Sequence, residues 1–226
     1  MHNIAQTKRK PHNTPPIEPL QNFNPISEHS QSNKTNYDSI ASNSPDLLTL
    51  SKCKNFNINL VRSLKQRIKT TTLIKHMYAS RGYRTDNNDV FLFNPNQFTF
   101  EAADNNNLLG TLTLTIDSEE GLLADKLYQQ EIDGLRTKGR KICELSKLVI
   151  NTEYSQHNSK EIISSLFLAC RTYAHTIYNV TDFLCEVNPR HAKAQKHMFG
   201  FQMIGEKRIC PRVNAPAVLL HLATDT

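Results

Sequence analysis

The chain has 226 residues, a formal net charge of +6, ten prolines and five cysteines, a length that suits one domain of ordinary size with residues to spare. No window reaches the roughly 18–20 consecutive apolar residues of a membrane span and the N-terminus lacks an apolar signal core, so a cytoplasmic protein is expected rather than an embedded or exported one. Cys53, Cys143, Cys170, Cys185 and Cys210 form no CxxC pair and have no histidine at zinc-ligand spacing, which points to reduced thiols and to no metal site.

Residues 1–50 hold six of the ten prolines among scattered Asn and Ser, with no helical or strand period. Such a stretch is expected to be a disordered tail, or an extension that orders on a partner, ahead of a domain at 51–226. "FNINLVRS" (56–63) alternates apolar and polar residues as a half-buried strand does. Over 64–80, Leu64, Ile68, Leu73, Ile74, Met77 and Tyr78 recur mostly at three- and four-residue intervals, a helix closed by Gly82. After the polar turn "TDNND" comes "VFLF", and then "QFTFEAA" and "TLTLTID", which read as a hairpin around the Asn/Gly cluster "NNNLLG".

"ADKLYQQEIDGLRTKG" (124–139) turns Leu127, Ile132 and Leu135 to one face and ends at Gly139, so a helix is predicted there. "KICELSKLVI" (141–150) is a strand. The loop "NTEYSQHN" leads to Ser159 as N-cap of a second long helix, whose apolar stripe is Ile162, Ile163, Leu166, Phe167, Cys170 and Ile177. "DFLCEVN" is a strand, "PRHAKAQKHMFGF" a short helix opened by Pro189 and closed by Gly200, and "MIGEKRI" and "APAVLLHL" are final strands. This order predicts an α/β sandwich with a mixed central sheet and helices on both faces, not a doubly wound dinucleotide fold; no phosphate-loop motif and no repeat is present.

The tail's four Lys/Arg balance its four Asp/Glu, so the net +6 belongs to residues 51–226. Between residues 47 and 85 no acid accompanies nine Lys/Arg, and a second basic group lies at Arg190, Lys193, Lys196, Lys207, Arg208 and Arg212. Such groups are either a solvated positive face or a docking surface for a polyanion or an acidic protein. Nucleic acid is not expected, since these segments lack interleaved aromatics and a reading motif.

The stretch "GTLTLTIDSEEGLLADKLYQQEIDGLRTKGRKICELSKLVI" (110–150) resembles the core of the long-chain N-acyl amino acid synthases of the FeeM type. The marks are Asp117 followed by Gly121-Leu122, the helix "LY..E.D.LR..GR", and "CELSKL"; "VNPRH" (187–191), "GF" (200–201) and "NAPAVLL" (214–220) follow in family order. The resemblance covers roughly residues 55–222 and implies the Gcn5-related N-acyltransferase fold. The "E-x-S-[RK]" of the strand also resembles that of the acyl-homoserine lactone synthases. It implies transfer of a fatty acyl group, carried on the phosphopantetheine of acyl carrier protein, to the amine of an amino acid, with no bound cofactor. Acyl carrier protein is acidic, and so suits the basic groups.

Two features depart from relatives on the fold. Where CoA-dependent members carry a Gly-rich pyrophosphate loop, this chain has "YSQHNSKEI"; Ser159 and Lys160 at the helix start could hold one phosphate, which favours a carrier-bound donor over CoA. Where many members have a tyrosine acid before "GF", Gln195 and Lys196 stand.

Transfer to an amine needs a base, because the free amine is mostly protonated at neutral pH. On a regular strand Glu144, Ser146 and Leu148 share one face and Cys143, Leu145, Lys147 and Val149 the other. Glu144 is the candidate base, the bland alternative being a structural ion pair. Ser146 either orients substrate or is a satisfied strand hydroxyl. Lys147 binds a carboxylate or snorkels to solvent. Glu186, if across a cleft from Glu144, would raise one of the two pKa values. Asn188 and His191 are candidate substrate- or donor-binding residues, and Arg81 and Arg84 candidate anion binders or plain surface charge. Competing readings are a homoserine lactone synthase, a CoA-dependent acetyltransferase, and a non-catalytic basic binding module.

Overall fold

The computed structural model describes residues 48–85, 94–105, 107–154 and 158–224. The tail expected at 1–50 falls outside them up to residue 47, as does the run "VFLF". In chain order come β1 (Leu48–Lys52), β2 (Asn57–Leu60), α1 (Leu64–Ala79), β3 (Gln97–Ala103), β4 (Leu108–Ile116), α2 (Asp125–Arg136), β5 (Ile142–Ile150), α3 (Ser159–Tyr178), β6 (Asp182–Val187), α4 (Pro189–Phe199), β7 (Gln202–Cys210) and β8 (Ala215–Ala223). β1 was not expected. It pairs antiparallel with β2, so the sheet begins three residues inside the stretch read as tail.

The strands form one mixed sheet, in the order β1-β2-β3-β4-β5-β6-β8-β7. All neighbours run antiparallel except β5 and β6. α3 buries Ile162, Leu166, Phe167, Cys170 and Ala174 against Phe100, Leu112, Leu114, Cys143 and Leu145 on one face of the sheet. α4 lies beside it there, with Phe199 stacked on Phe167 at 4.1 Å between centroids. On the other face, Tyr128 and Ile132 of α2 pack with Ile142, Leu184 and Leu219, and Leu73, Ile74 and Met77 of α1 pack with Leu108 and Val149.

Local chemistry sets the helix ends, with two corrections. Ser63 and Gln66 form a reciprocal capping box at the start of α1, and Gln66 also donates to Glu101 Oε1 on β3 at 3.0 Å. Leu64 and Ile68, expected on the buried stripe of α1, are 73% and 59% exposed, because only its second half lies over the sheet. At α3 the cap is Asn158, whose side chain accepts the Lys160 N–H at 3.0 Å, and Ser159 is the first helical residue. Among the described residues no helix is long and apolar enough to cross a membrane, and no group of His, Cys, Asp and Glu could hold a metal ion.

Two glycines answer the same substitution oppositely. A Cβ on Gly205 of β7 would sit 2.7 Å from Leu219 Cβ and from the Tyr128 ring, while one on Gly134 of α2 would meet nothing within 4 Å. Gly205→Ala is expected to cost about 1–3 kcal/mol through overpacking, and Gly134→Ala to stabilise by roughly 0.5–1 kcal/mol through helix propensity. Urea unfolding midpoints of the two variants check both signs.

Candidate active site

β5 and β6 pair at only three positions, Ile142–Asp182, Cys143–Phe183 and Glu144–Leu184. Beyond them β5 stays with β4 as far as Ile150, and β6 stays with β8 as far as Val187. The sheet therefore splits, and Glu144 stands at the vertex of the split.

Glu144 is 1% exposed. Burial, reinforced by the nearby charge of Glu186, pushes its carboxyl up to about 7; Arg212 and the backbone N–H groups of Ala124 and Leu123 pull the other way. The Ala124 N–H reaches Glu144 Oε2 at 3.3 Å. That amide is presented by a braced loop. Asp125 Oδ2 accepts the Leu122 N–H at 2.7 Å, and Arg136 holds both Asp125 and Asp117, donating to each carboxylate through two nitrogens at 2.6–2.8 Å. Gly121 starts the loop at φ +73°, where a Cβ would lie 2.7 Å from Asp125 Oδ2.

Glu186 shares Glu144's face, two residues beyond Leu184 on β6. It forms a buried pair with Arg212, whose NH2 donates to Glu186 Oε2 at 2.6 Å while NH1 donates to the Leu123 carbonyl at 2.6 Å. Arg212, on the β7–β8 turn, thus ties the braced loop to the second carboxylate.

The alternation expected for β5 does not hold. Thr111 pairs with Val149 and Thr113 with Ser146, so Lys147 and Leu148 together stand opposite Leu112. This is a β-bulge, and Lys147 adopts φ +52° in it. Lys147 Nζ donates to Gln97 Oε1 at 2.8 Å. Gln97 is paired with Thr115, which is paired with Glu144, so directly opposed residues place all three on one face. Lys147 therefore lies on the side of Glu144, and past the bulge the pattern is inverted: Val149 faces α1 and Leu148 faces α3. Burial lowers the Lys147 ammonium to about 8, against the attraction of Glu144.

Two cavities open from the split. The larger, about 380 Å³, is walled by apolar side chains of β5, α3 and α4, among them Leu148, Ile163, Phe167, Met198 and Phe199. The smaller, about 120 Å³, contains Glu144 and Arg212 in its wall. Tyr78, Tyr83, Ser146, Lys147, Glu186 and Asn188 line both. Ser146 Oγ is buried without a hydrogen-bond partner among the described residues, so its hydroxyl is available to a ligand or water there.

Most of the expected site residues come together: Glu144 in the smaller cavity, Arg81 and His191 in the larger, and Ser146, Lys147, Glu186 and Asn188 in both. Arg84, exposed beyond the Gly82 turn, and Ser159 and Lys160, exposed in the first turn of α3, line neither. Sequence reasoning missed Arg212, Tyr78 and Tyr83 as site residues. Arg212 is one of several basic residues near the C-terminus, and Tyr78 fits a helical apolar stripe; only the fold brings them to Glu144. Tyr78 is kept protonated chiefly by burial, which raises its phenol pKa, and its ring meets Tyr83 edge-on at 5.7 Å.

The buried carboxyl should be visible in stability. Between its ordinary 4.5 and about 7 the folded chain holds a proton that the unfolded chain has released. Stability from this group is thus complete below pH 4.5 and lost as pH rises through 7. Glu144→Gln has no charge to bury. Its unfolding midpoint should gain on the parent's between about pH 5 and pH 7.5 and hold that gain at higher pH; a denaturant series across pH reads this.

The profile of the family described as "N-acyl amino acid synthase FeeM" matches residues 69–223. Among solved structures the chain is similar to FeeM, an N-acyl amino acid synthase from uncultured soil microbes, at 25% identity and a TM-score of 0.68, covering 74% of this chain and 90% of that one. It shares its fold with an acyl-CoA N-acyltransferase from Pseudomonas aeruginosa (13% identity, TM-score 0.53, 74% and 99% covered). The same holds for ElaA from Escherichia coli (10%, 0.52, 74% and 98%). No curated protein sequence matches the chain. With the greater part of its length matched by the family profile and its sheet split as an α/β Gcn5-related acyltransferase, the chain belongs to the FeeM family of N-acyl amino acid synthases.

Proposed function

We propose that this protein works in the cytoplasm and joins a long-chain acyl group, carried as a thioester on the phosphopantetheine arm of acyl carrier protein, to the amine of an amino acid. The observation that carries the reading is Glu144: a buried carboxyl near pKa 7 at the vertex of the split, between a small polar cavity and a larger apolar one. The apolar walls suit an acyl chain, and the polar cavity suits an amino acid head group.

The acceptor enters as an ammonium ion. Glu144, directly or through water, takes one proton and passes it to solvent. The neutral amine attacks the thioester carbonyl; a C–N bond forms, the C–S bond breaks, and the second amine proton ends on the departing sulfur. Gln195 lines the larger cavity but has no acidic proton to offer; Tyr78, protonated and shared by both cavities, is the hydrogen-bond donor we assign to that sulfur. Lys147, on the same face as Glu144, is the cation placed to hold the acceptor's carboxylate. A carrier-bound donor is favoured over CoA because no glycine stands between Ile150 and α3; acyl carrier protein's acidity also suits the basic surface.

Incubation with acyl carrier protein thioesters and pooled amino acids should yield N-acyl amino acids by mass spectrometry. Turnover should rise with pH through about 7 as Glu144 loses its proton. Glu144→Gln should lose that limb and lower kcat/KM by roughly 10²–10⁴-fold. Turnover with acetyl-CoA but with no carrier-bound donor would refute the proposal.

A further inference from the structure

A second amine stands in the reaction chamber. Lys147 is 8% exposed and lines both cavities. Among the described residues it is the one lysine to line either, and residues 86–93, 106 and 155–157 include no lysine. The bulge of β5 turns it there: with φ +52° at Lys147 the side chain leaves the α3 side and comes to that of Glu144. Gln97 Oε1 accepts one of its N–H bonds at 2.8 Å, which fixes the end of a long side chain. Its charged neighbours in the smaller cavity are Glu144, Glu186 and Arg212. Burial, opposed by Glu144, lowers the ammonium to about 8, so that roughly half is neutral at pH 8, against about 1 in 300 for an ordinary lysine.

Such an amine meets the same requirements as the acceptor's. The thioester carbonyl must lie where the two cavities join, with the acyl chain on one side and the attacking nitrogen on the other, and Lys147 is in the wall of both. The thiol of Cys185, in the wall of the larger cavity, is the poorer nucleophile, because burial raises its pKa and keeps it protonated. We propose that, when no acceptor amino acid is bound, Lys147 Nζ takes the acyl group itself, and that the resulting ε-N-acyl-lysine blocks the chamber. Glu144 takes one proton from the ammonium. Nζ then attacks the carbonyl carbon, a C–N bond forms, the C–S bond breaks, and the second proton ends on the departing sulfur. The amide lacks the charge that would hold an amino acid's carboxylate, so the acylated chain is switched off. A bound amino acid keeps Lys147 as the ammonium and protects it. This rests on the reading above that the donor is an acyl thioester and the acceptor an amino acid.

Intact-mass spectrometry of the full chain, incubated at about pH 8 with an acyl-phosphopantetheine thioester and no amino acid, should show one added acyl group. The adduct should resist hydroxylamine, as an amide does and a thioester does not. Peptide mapping of the parent should place it on Lys147, ahead of exposed lysines such as Lys160 and Lys193 by roughly 10–100-fold, and unfolding in urea should abolish that lead. Lys147→Arg, which keeps the charge, should lose the adduct; mapping of the parent decides the site whether or not that variant folds. An amino acid that the chain acylates, at about ten times its KM, should cut the labelling roughly tenfold. The labelled chain should then turn over more slowly in proportion to the fraction modified. A parent that gains no acyl group, equal modification of exposed lysines, an adduct removed by hydroxylamine, or labelling undiminished by an amino acid that the chain acylates would each overturn the proposal. A parent that makes N-acyl amino acids yet never modifies Lys147 overturns this inference alone. One that acylates Lys147 and no added amino acid refutes the proposed reaction and leaves Lys147 standing as the acylated site.

Discussion

The parallel seam between β5 and β6 is the constraint on which the site depends. Three paired positions hold the two halves of the sheet together. Their closed end is pinned by Asp182, which accepts from Arg140 Nε and contacts His221 Nε2, each at 2.6 Å. Above Glu144 nothing in the sheet joins the halves, and the helices determine how far they part. Were the seam two residues longer, Ser146 would be within the ladder and the cavities would lose their common wall.

The second constraint is electrostatic. Glu144, Lys147, Glu186 and Arg212 all lie on or beside one buried face. Isolated buried charges are costly, and a buried pair is weak support for stability unless its remaining donors are satisfied. Arg212 meets that condition by bonding Glu186 and the Leu123 carbonyl. Glu144 does not: the backbone N–H groups of Ala124 and Leu123 favour its charged form, but burial and a second carboxylate outweigh them, so the easier state for it is the protonated one. A carboxyl poised this way near neutrality can give up and regain a proton, and the clamp of Arg136 on Asp117 and Asp125 fixes the loop above it.

Much of the fold was legible because it rests on local pattern. The stripe of α3, the Pro189 and Gly200 ends of α4 and the hairpin of β3 and β4 follow from periodicity and turn chemistry, and "CELSKL" marks the strand that carries Glu144. The faces of β5 were not legible. Strict alternation puts Lys147 opposite Glu144, but one extra residue in the ladder and a left-handed backbone at Lys147 bring it round to the same side. A bulge leaves little trace when the residue is lysine rather than glycine. Leu64 and Ile68 mislead for a different reason: apolar spacing shows which way a helix can face, not how far the sheet extends beneath it. Arg212 and Tyr78 were invisible as site residues because their partners are distant in sequence.

The split also leaves two interior strand edges facing each other. On the inner side of β5 beyond Glu144, and of β6 beyond Leu184, backbone donors and acceptors have no strand to pair with, and such groups must bond to something. An empty cleft is therefore a wet one. A bare hydrocarbon entering it would strip that water and return nothing, whereas a chain bearing its own amide groups can replace the lost bonds along its length. In the proposed reaction, then, the strand edges favour the amide-bearing arm of the donor over a free fatty acid before any side chain has read the ligand.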